Sequence, residues 1–228
     1  MNGKKFWAVW VGLAALCLAG AAGWAREGQS STTWLFFVDL RQNDLPGVAM
    51  SKTAARYFLD SQVGAEDAVA VLTYSDIRGF KVREEPTTDH GRVRKSLARL
   101  TEIFGAADTE VGWIMRLSNH NFLEDMNEFA KNLAEIPGTK NVVYFTNGLP
   151  VGWYEGDWKF RDLYDGIGQH FKDSQAPVFI INSLGHRADW QSLPEKTNWL
   201  LKKLADASGG RYFGDIAEYK TIALELAK

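Results

Sequence analysis

The chain has 228 residues, a formal net charge of −2 and a pI near 6.1. That balance supplies no basic face for nucleic acid, and a short tract such as Arg92-Val-Arg-Lys95 reads as a solvated helix face. Cys17 is the single cysteine, so disulfides, thiolate catalysis and cysteine zinc sites are closed to a mature chain that begins after it.

Residues 1–25 read as a targeting segment, with Lys4 and Lys5 ahead of an apolar run from Phe6 to Gly23 and small residues around Ala25. Cleaved, it is a secretory signal peptide. Uncleaved, residues 6–23 approach the ~20 residues a membrane helix needs and would act as an N-terminal anchor. Both readings place the domain outside the cytoplasm, secreted, periplasmic or at the cell surface, with membrane contact only through this segment. Leu16, before Cys17, is not the small residue a lipoprotein signal requires. Residues 26–33 form a linker and 34–228 one domain, because about two hundred residues bury one full α/β core and two domains would be cramped.

Along that domain, Trp34 to Leu40 reads as the first strand, followed by a helix from Gly47 to Gln62 with Ala54 and Phe58, and Ala55 and Leu59, at four-residue spacing. Val69 to Tyr74 is a second strand, apolar throughout and so buried on both faces. Phe80 to Arg83 adds a short antiparallel edge. Helices are predicted over Arg92 to Phe104 and Phe122 to Glu135, the latter carrying a Phe122, Met126, Phe129, Leu133 stripe, with Pro137-Gly138 as its stop. Strands Asn141 to Thr146 and Val178 to Asn182 alternate with helices near Phe160 to Lys172 and Lys196 to Ser208. Gly209-Gly210 caps the last of these, Arg211 to Phe213 is a final short strand, and Asp215 to Lys228 a closing helix. The order implies an α/β, Rossmann-like doubly wound fold: a mainly parallel sheet with one short antiparallel edge strand and helices on both faces.

Two segments concentrate the functional signal. Trp34-Leu-Phe-Phe-Val-Asp-Leu-Arg-Gln-Asn43 and Asn141-Val-Val-Tyr-Phe-Thr-Asn-Gly148 are each a buried strand ending in a polar loop, and such loops converge at the carboxyl edge of an open parallel sheet. Together with Ala65 to Ser75, Ile136 to Gly148 and Leu204-Ala-Asp-Ala-Ser-Gly-Gly-Arg-Tyr-Phe213, the pair resembles the von Willebrand factor type A (VWA) domain, and within it the bacterial branch first described from acidobacterial proteins. The resemblance covers almost everything after residue 32. It implies adhesion or recognition through a metal-ion-dependent adhesion site, where a DxSxS strand end and an Asp-Gly turn grip a divalent cation that also binds an acidic group on the partner.

Here the positions of that motif read Asp39, Arg41, Asn43 and Asn147. Arg41 puts a cation with no acceptor where the family has a serine, and Asn147 puts a neutral amide where it has a carboxylate. Lost ligand charge weakens affinity for hard cations, so no cofactor is expected. Any residual Mg²⁺ or Mn²⁺ would be held weakly by Asp39, Asn43 and Thr109, with Ser118 the other candidate for the family's threonine. The Arg41 guanidinium either folds over Asp39, filling the place of the ion, or points into water.

Beyond Asn147, Gly148 to Phe160 sets Trp153, Tyr154 and Trp158 among glycines. These aromatics either meet a partner or cover the helix that follows. Trp113, Trp190 and Trp199 read as core or helix-packing residues. Enzyme signatures are missing: there is no GxSxG elbow, HExxH helix or phosphate loop. Ser183 and His186 alone bring a hydroxyl and an imidazole near one strand end, without an acidic orienter, and read as a structural turn. The expectation is therefore an exported, non-catalytic domain that binds another protein through Arg41, Asn43, Thr109, Asn147, Trp153, Tyr154 and Trp158. The alternatives are an assembly subunit of a larger complex and, more remotely, a hydrolase built on Ser183.

Overall fold

The computed structural model describes residues 32–41, 43, 45–75, 78–100, 112–148, 151–183 and 194–226. Residues 1–31, expected to hold a targeting segment and most of a linker, lie outside the described residues, as do Thr109, His186 and Trp190 and the side chains of Trp113, Ser118 and Trp153. Strands are β1 (Thr33–Asp39), β2 (Ala68–Ser75), β3 (Gly79–Thr87), β4 (Lys140–Thr146), β5 (Val178–Asn182) and β6 (Arg211–Asp215). Helices are α1 (Leu45–Ser61), α2 (His90–Ala98), α3 (Gly112–Asn132), α4 (Val151–Gly156), α5 (Trp158–Asp173), α6 (Pro194–Ser208) and α7 (Tyr219–Leu226).

The sheet runs β3-β2-β1-β4-β5-β6, with β2–β3 antiparallel and the other four pairings parallel. Alternation along β1 explains the two layers around it. Leu35 and Phe37 face a core with Phe122, Met126 and Phe129 of α3, Phe160 and Phe171 of α5, and Leu200 and Leu204 of α6. Trp34, Phe36 and Val38 face the opposite core, with Ala54, Ala55 and Phe58 of α1, Val93 and Leu97 of α2, and Ile222 of α7. Phe36, Phe37 and Val38 are fully buried, and each such side chain contributes about 1.5–3 kcal/mol of transfer free energy. Phe37 stacks between Phe80 and Tyr144 at 4.9 and 4.7 Å, which ties the antiparallel edge to the sheet centre.

At the amino end of the sheet, Asp67 latches β1 to the turn ahead of β2. Its carboxylate accepts from Thr32 N at 2.9 Å, Gly64 N at 3.0 Å and Trp34 Nε1 at 3.3 Å. Helix starts follow their caps: the Asp89 side chain accepts from Gly91 N and Arg92 N ahead of α2, and Asp157 from Lys159 N and Phe160 N ahead of α5.

The architecture is the one the sequence implied, with shifted boundaries. β1 begins at Thr33 and ends at Asp39, one residue earlier than expected at each end. β3 extends to Thr87 instead of stopping at Arg83, because an edge strand with one wet side tolerates the charged run Arg83-Glu84-Glu85. α2 ends at Ala98, not Phe104, and α3 starts at Gly112, well before Phe122. A 3₁₀ turn, Ile216–Glu218, separates β6 from α7.

Candidate functional site

The strand order reverses at β1, with β2 on one side and β4 on the other. A crevice therefore opens beyond the carboxyl ends of β1 and β4. Val38 pairs with Phe145, so Asp39 comes level with Thr146, and side chains two apart on β4 share its face. Asp39, 0% exposed, meets both. Its Oδ2 accepts from Tyr144 OH at 3.1 Å and from Thr146 Oγ1 at 3.0 Å, while Oδ1 accepts from Arg41 N at 3.0 Å. Thr146 Oγ1 in turn accepts from Gly148 N at 3.0 Å, so the β4 loop is tied to the same carboxylate. Burial, and then the Asp39 charge, push the Tyr144 phenol well above its ordinary range, which keeps it a hydrogen donor to Asp39.

The Arg41 guanidinium closes this arrangement. Nη2 lies 3.4 Å from Asp39 Oδ2, and the side chain is only 1% exposed although the backbone around it is partly open. Its Cζ sits 3.9 Å from the Phe122 ring centroid, so α3 supplies an aromatic face for the cation. Phe122 packs edge-on against Tyr74 of β2 at 4.8 Å. The internal pair is thus formed. Arg41, expected among the partner-facing groups, has its guanidinium turned inward here, where it supplies the cation beside the buried carboxylate.

Asn43 and Asn147 meet at the mouth of the crevice through a residue the sequence had offered only as a turn or a remote nucleophile. Asn43 Nδ2 donates to Asp39 O at 2.7 Å. Ser183, at the end of β5 and 1% exposed, donates through Oγ to Asn147 Oδ1 at 2.9 Å and makes a short contact to Asn43 Oδ1. Its single proton serves one amide oxygen at a time. Ser183 N also donates to Thr146 O at 3.1 Å, which joins the ends of β4 and β5. The signal that could have found Ser183 is its position one residue past a strand beside β4. Amide oxygens cannot take its proton as a base, so this hydrogen bonding does not activate it as a nucleophile. Thr109 and His186 lie outside the described residues.

A divalent cation at Asp39 would need oxygen lone pairs aimed at it. The groups around both carboxylate oxygens present N–H and O–H donors and a guanidinium instead. Among the described residues no three His, Cys, Asp or Glu side chains converge. These contacts commit both Asp39 carboxylate oxygens to donors of the protein itself.

The aromatic segment is also rearranged. Val151–Gly156 is helical rather than an open loop. Tyr154 is 7% exposed, packed edge-on against Tyr164 at 5.8 Å and Trp199 at 5.2 Å, with its hydroxyl donating to both Asp165 carboxylate oxygens at 3.0 Å and accepting from Lys203. Tyr154, expected among the partner-facing groups, fills the α4–α5–α6 junction against the apolar face of α5. Trp158 is 64% exposed at the start of α5, with Lys159 Nζ 5.6 Å from its ring centroid, and Trp199 is 48% exposed while packing one edge against Tyr154, in keeping with the helix-packing role expected of it.

Beside the crevice, burial pushes the Asp125 carboxyl of α3 up to about 6, a hydrogen bond from Tyr74 opposing the rise and Glu124 adding to it. The folded state therefore favours the protonated acid, and this contribution is complete below the unfolded value of about 4 and lost as pH rises through about 6. Asp125→Asn should match the native chain at pH 4 and exceed it by about 1 kcal/mol at pH 7, the partial exposure of the carboxyl screening the effect. Urea unfolding at the two pH values measures the difference, and equal offsets at both would contradict it.

A six-stranded, mainly parallel sheet with one antiparallel edge, flanked by helices, is a VWA-like α/β fold. No protein-family model matches the chain, and no curated protein matches it in sequence. Solved structures share the architecture. The vWF domain of the type V pili tip protein Mfa5 from Porphyromonas gingivalis aligns with a TM-score of 0.57 at 10% identity, over 87% of this chain and 96% of that one. The pilus adhesin SpaC from Lactobacillus rhamnosus GG aligns at 0.58 and 12% identity, over 88% of this chain and 30% of its own. Proximal thread matrix protein 1 of the mussel byssus, with a zinc-occupied MIDAS motif, aligns at 0.52 and 15% identity, over 88% of this chain and 48% of that one. At these identities the likeness establishes the fold.

Proposed function

We propose that this chain is an exported, non-catalytic recognition domain that binds another protein at the carboxyl edge of its sheet without a tightly held metal. The observation that carries this reading is the Asp39–Arg41 pair. At the carboxyl ends of β1 and β4 the buried Asp39 carboxylate is neutralised from within, and Asn43, Asn147 and Ser183 leave a mouth of neutral amides and a hydroxyl. Neutral donors and acceptors suit a polar peptide surface, and exposed Trp158 offers the rigid contact area typical of binding hot spots. The pilus-tip, pilus-adhesin and thread-matrix proteins that share the fold support attachment or assembly over catalysis.

Calorimetric titration of the purified chain with Mg²⁺ and Mn²⁺ tests the metal-free part, with Asp39→Ala alongside. The expected result is no saturable heat from either protein. Saturable binding lost in Asp39→Ala would restore the metal-bridged mechanism. Solution mass tests the recognition role, since a monomer supports it, whereas an oligomer independent of concentration would favour an assembly subunit.

A further inference from the structure

A second candidate site lies away from the crevice, on the flank of the sheet. A cleft of about 350 Å³ opens between edge strand β3 and helix α2. Arg83 of β3 and Arg92, Lys95 and Arg99 on and just past α2 line it, against the single carboxylate of Glu84. Helical spacing explains the convergence: positions 92, 95, 96 and 99 fall on one arc, whereas Val93 and Leu97 turn into the core. Arg94 points the other way and pairs with Asp60 of α1 at 2.6 Å.

Among the described residues that line the cleft the charge is +3, from four cations less one carboxylate, in a chain whose net charge is −2. Glu84 is committed to Arg92 at 2.5 Å. Among the described residues, Arg83, Lys95 and Arg99 have no carboxylate within ion-pairing distance. Arg83 is further constrained, its Nε donating to Thr73 Oγ1 at 2.9 Å, and burial with the nearby Arg78 cation holds it below the usual arginine range. Like charges gathered around one cavity repel, and an anion bound between them relieves that repulsion. Guanidinium forks fit the oxygens of phosphate bidentately, and a lysine adds a point charge. The volume falls within the span of small-molecule pockets and exceeds one phosphate, while Leu100 and the arginine stems supply an apolar wall.

We propose that the β3–α2 cleft binds a phosphate-bearing ligand, with Arg83, Lys95 and Arg99 holding the phosphate and Glu84 orienting Arg92 at the rim. The ligand is either a soluble phosphorylated small molecule or the headgroup of an anionic phospholipid, which share this chemistry. The site does not depend on the crevice function, and its failure would leave that reading untouched.

Isothermal titration of the full chain with inorganic pyrophosphate tests the soluble form. Co-sedimentation with phosphatidylcholine vesicles containing phosphatidic acid, against phosphatidylcholine alone, tests the headgroup. Saturable binding in either arm is expected, weakened about tenfold or more in Lys95→Gln/Arg99→Gln and by raised ionic strength. Arg94→Gln removes the same kind of charge from the opposite arc of the helix and should change affinity less than about twofold. Both tested residues are exposed, and circular dichroism of each variant checks that the fold persists. Pyrophosphate binding alone assigns a free ligand, and vesicle binding alone a lipid. The proposal fails if neither arm saturates, or if Arg94→Gln weakens binding as much as the paired substitution.

Discussion

Arg41→Ala is expected to destabilise the protein by about 3–5 kcal/mol, the loss found when one partner of a buried ion pair is removed. Asp39 would keep Tyr144, Thr146 and the Arg41 backbone as donors but would lose the Arg41 cation beside it while fully buried. The Phe122 ring would lose the guanidinium that lies over it as well. Asp39→Asn should be costly for the converse reason, since it leaves the cation buried without a countercharge. The double variant Asp39→Asn/Arg41→Ala should cost much less than the sum of the singles, because it removes both charges together. Urea unfolding of the four proteins measures the coupling. Single variants within about 1 kcal/mol of the native chain would show that the pair is dispensable and would weaken the case for an internal substitute for a metal.

Gly210→Ala should be about as damaging, for a steric reason. A Cβ built at Gly210 lies 2.1 Å from Val178 O, 2.5 Å from Val178 C and 2.6 Å from Val178 N. These are backbone atoms at the start of β5, so no rotamer change relieves the overlap and the α6–β6 turn must lift off the sheet. The turn is also held there by hydrogen bonds, Gly210 N donating to Ala205 O at 2.9 Å and Val178 N to Ser208 Oγ at 3.0 Å. A loss of about 4 kcal/mol is expected, corresponding to a fall in Tm of about 10 °C for a domain of this size. Gly209 provides the contrast, because it has φ +81° but open space around its Cβ position. Gly209→Ala should cost only the left-handed backbone, about 1–2 kcal/mol. Thermal melts of the two variants separate the effects, and equal shifts would mean that the turn relaxes around the added methyl.

These two sites differ in how far the sequence discloses them. Gly209-Gly210 is visible as a helix stop, because glycine after an amphipathic run is a local signal. That Gly210 must have no side chain is not local. It depends on the approach of Val178, a strand earlier in the chain. Asp39 and Arg41 are two residues apart, yet their pairing depends on Phe122 of α3 and on Tyr144 and Thr146 of β4, which together bury the carboxylate.

The aromatic segment shows the same division. Its Trp and Tyr content marks Gly148 to Phe160 as unusual, but Tyr154 and Trp158 are four residues apart and end in opposite environments, 7% and 64% exposed. The difference arises because α5 and α6 close over Tyr154, with Tyr164, Trp199, Asp165 and Lys203 around it, and no spacing rule supplies that neighbourhood.

The sequence by itself determined the parallel sheet, its layers and the convergence of the β1 and β4 loops, since continuous apolar strands alternating with amphipathic helices have few other ways to bury both faces. Only the tertiary structure decided that Arg41 turns inward, that Ser183 joins Asn43 to Asn147, and that the basic residues of β3 and α2 share a cleft. Each of these depends on contacts between elements far apart in the chain, where burial and charge compensation act through the assembled fold.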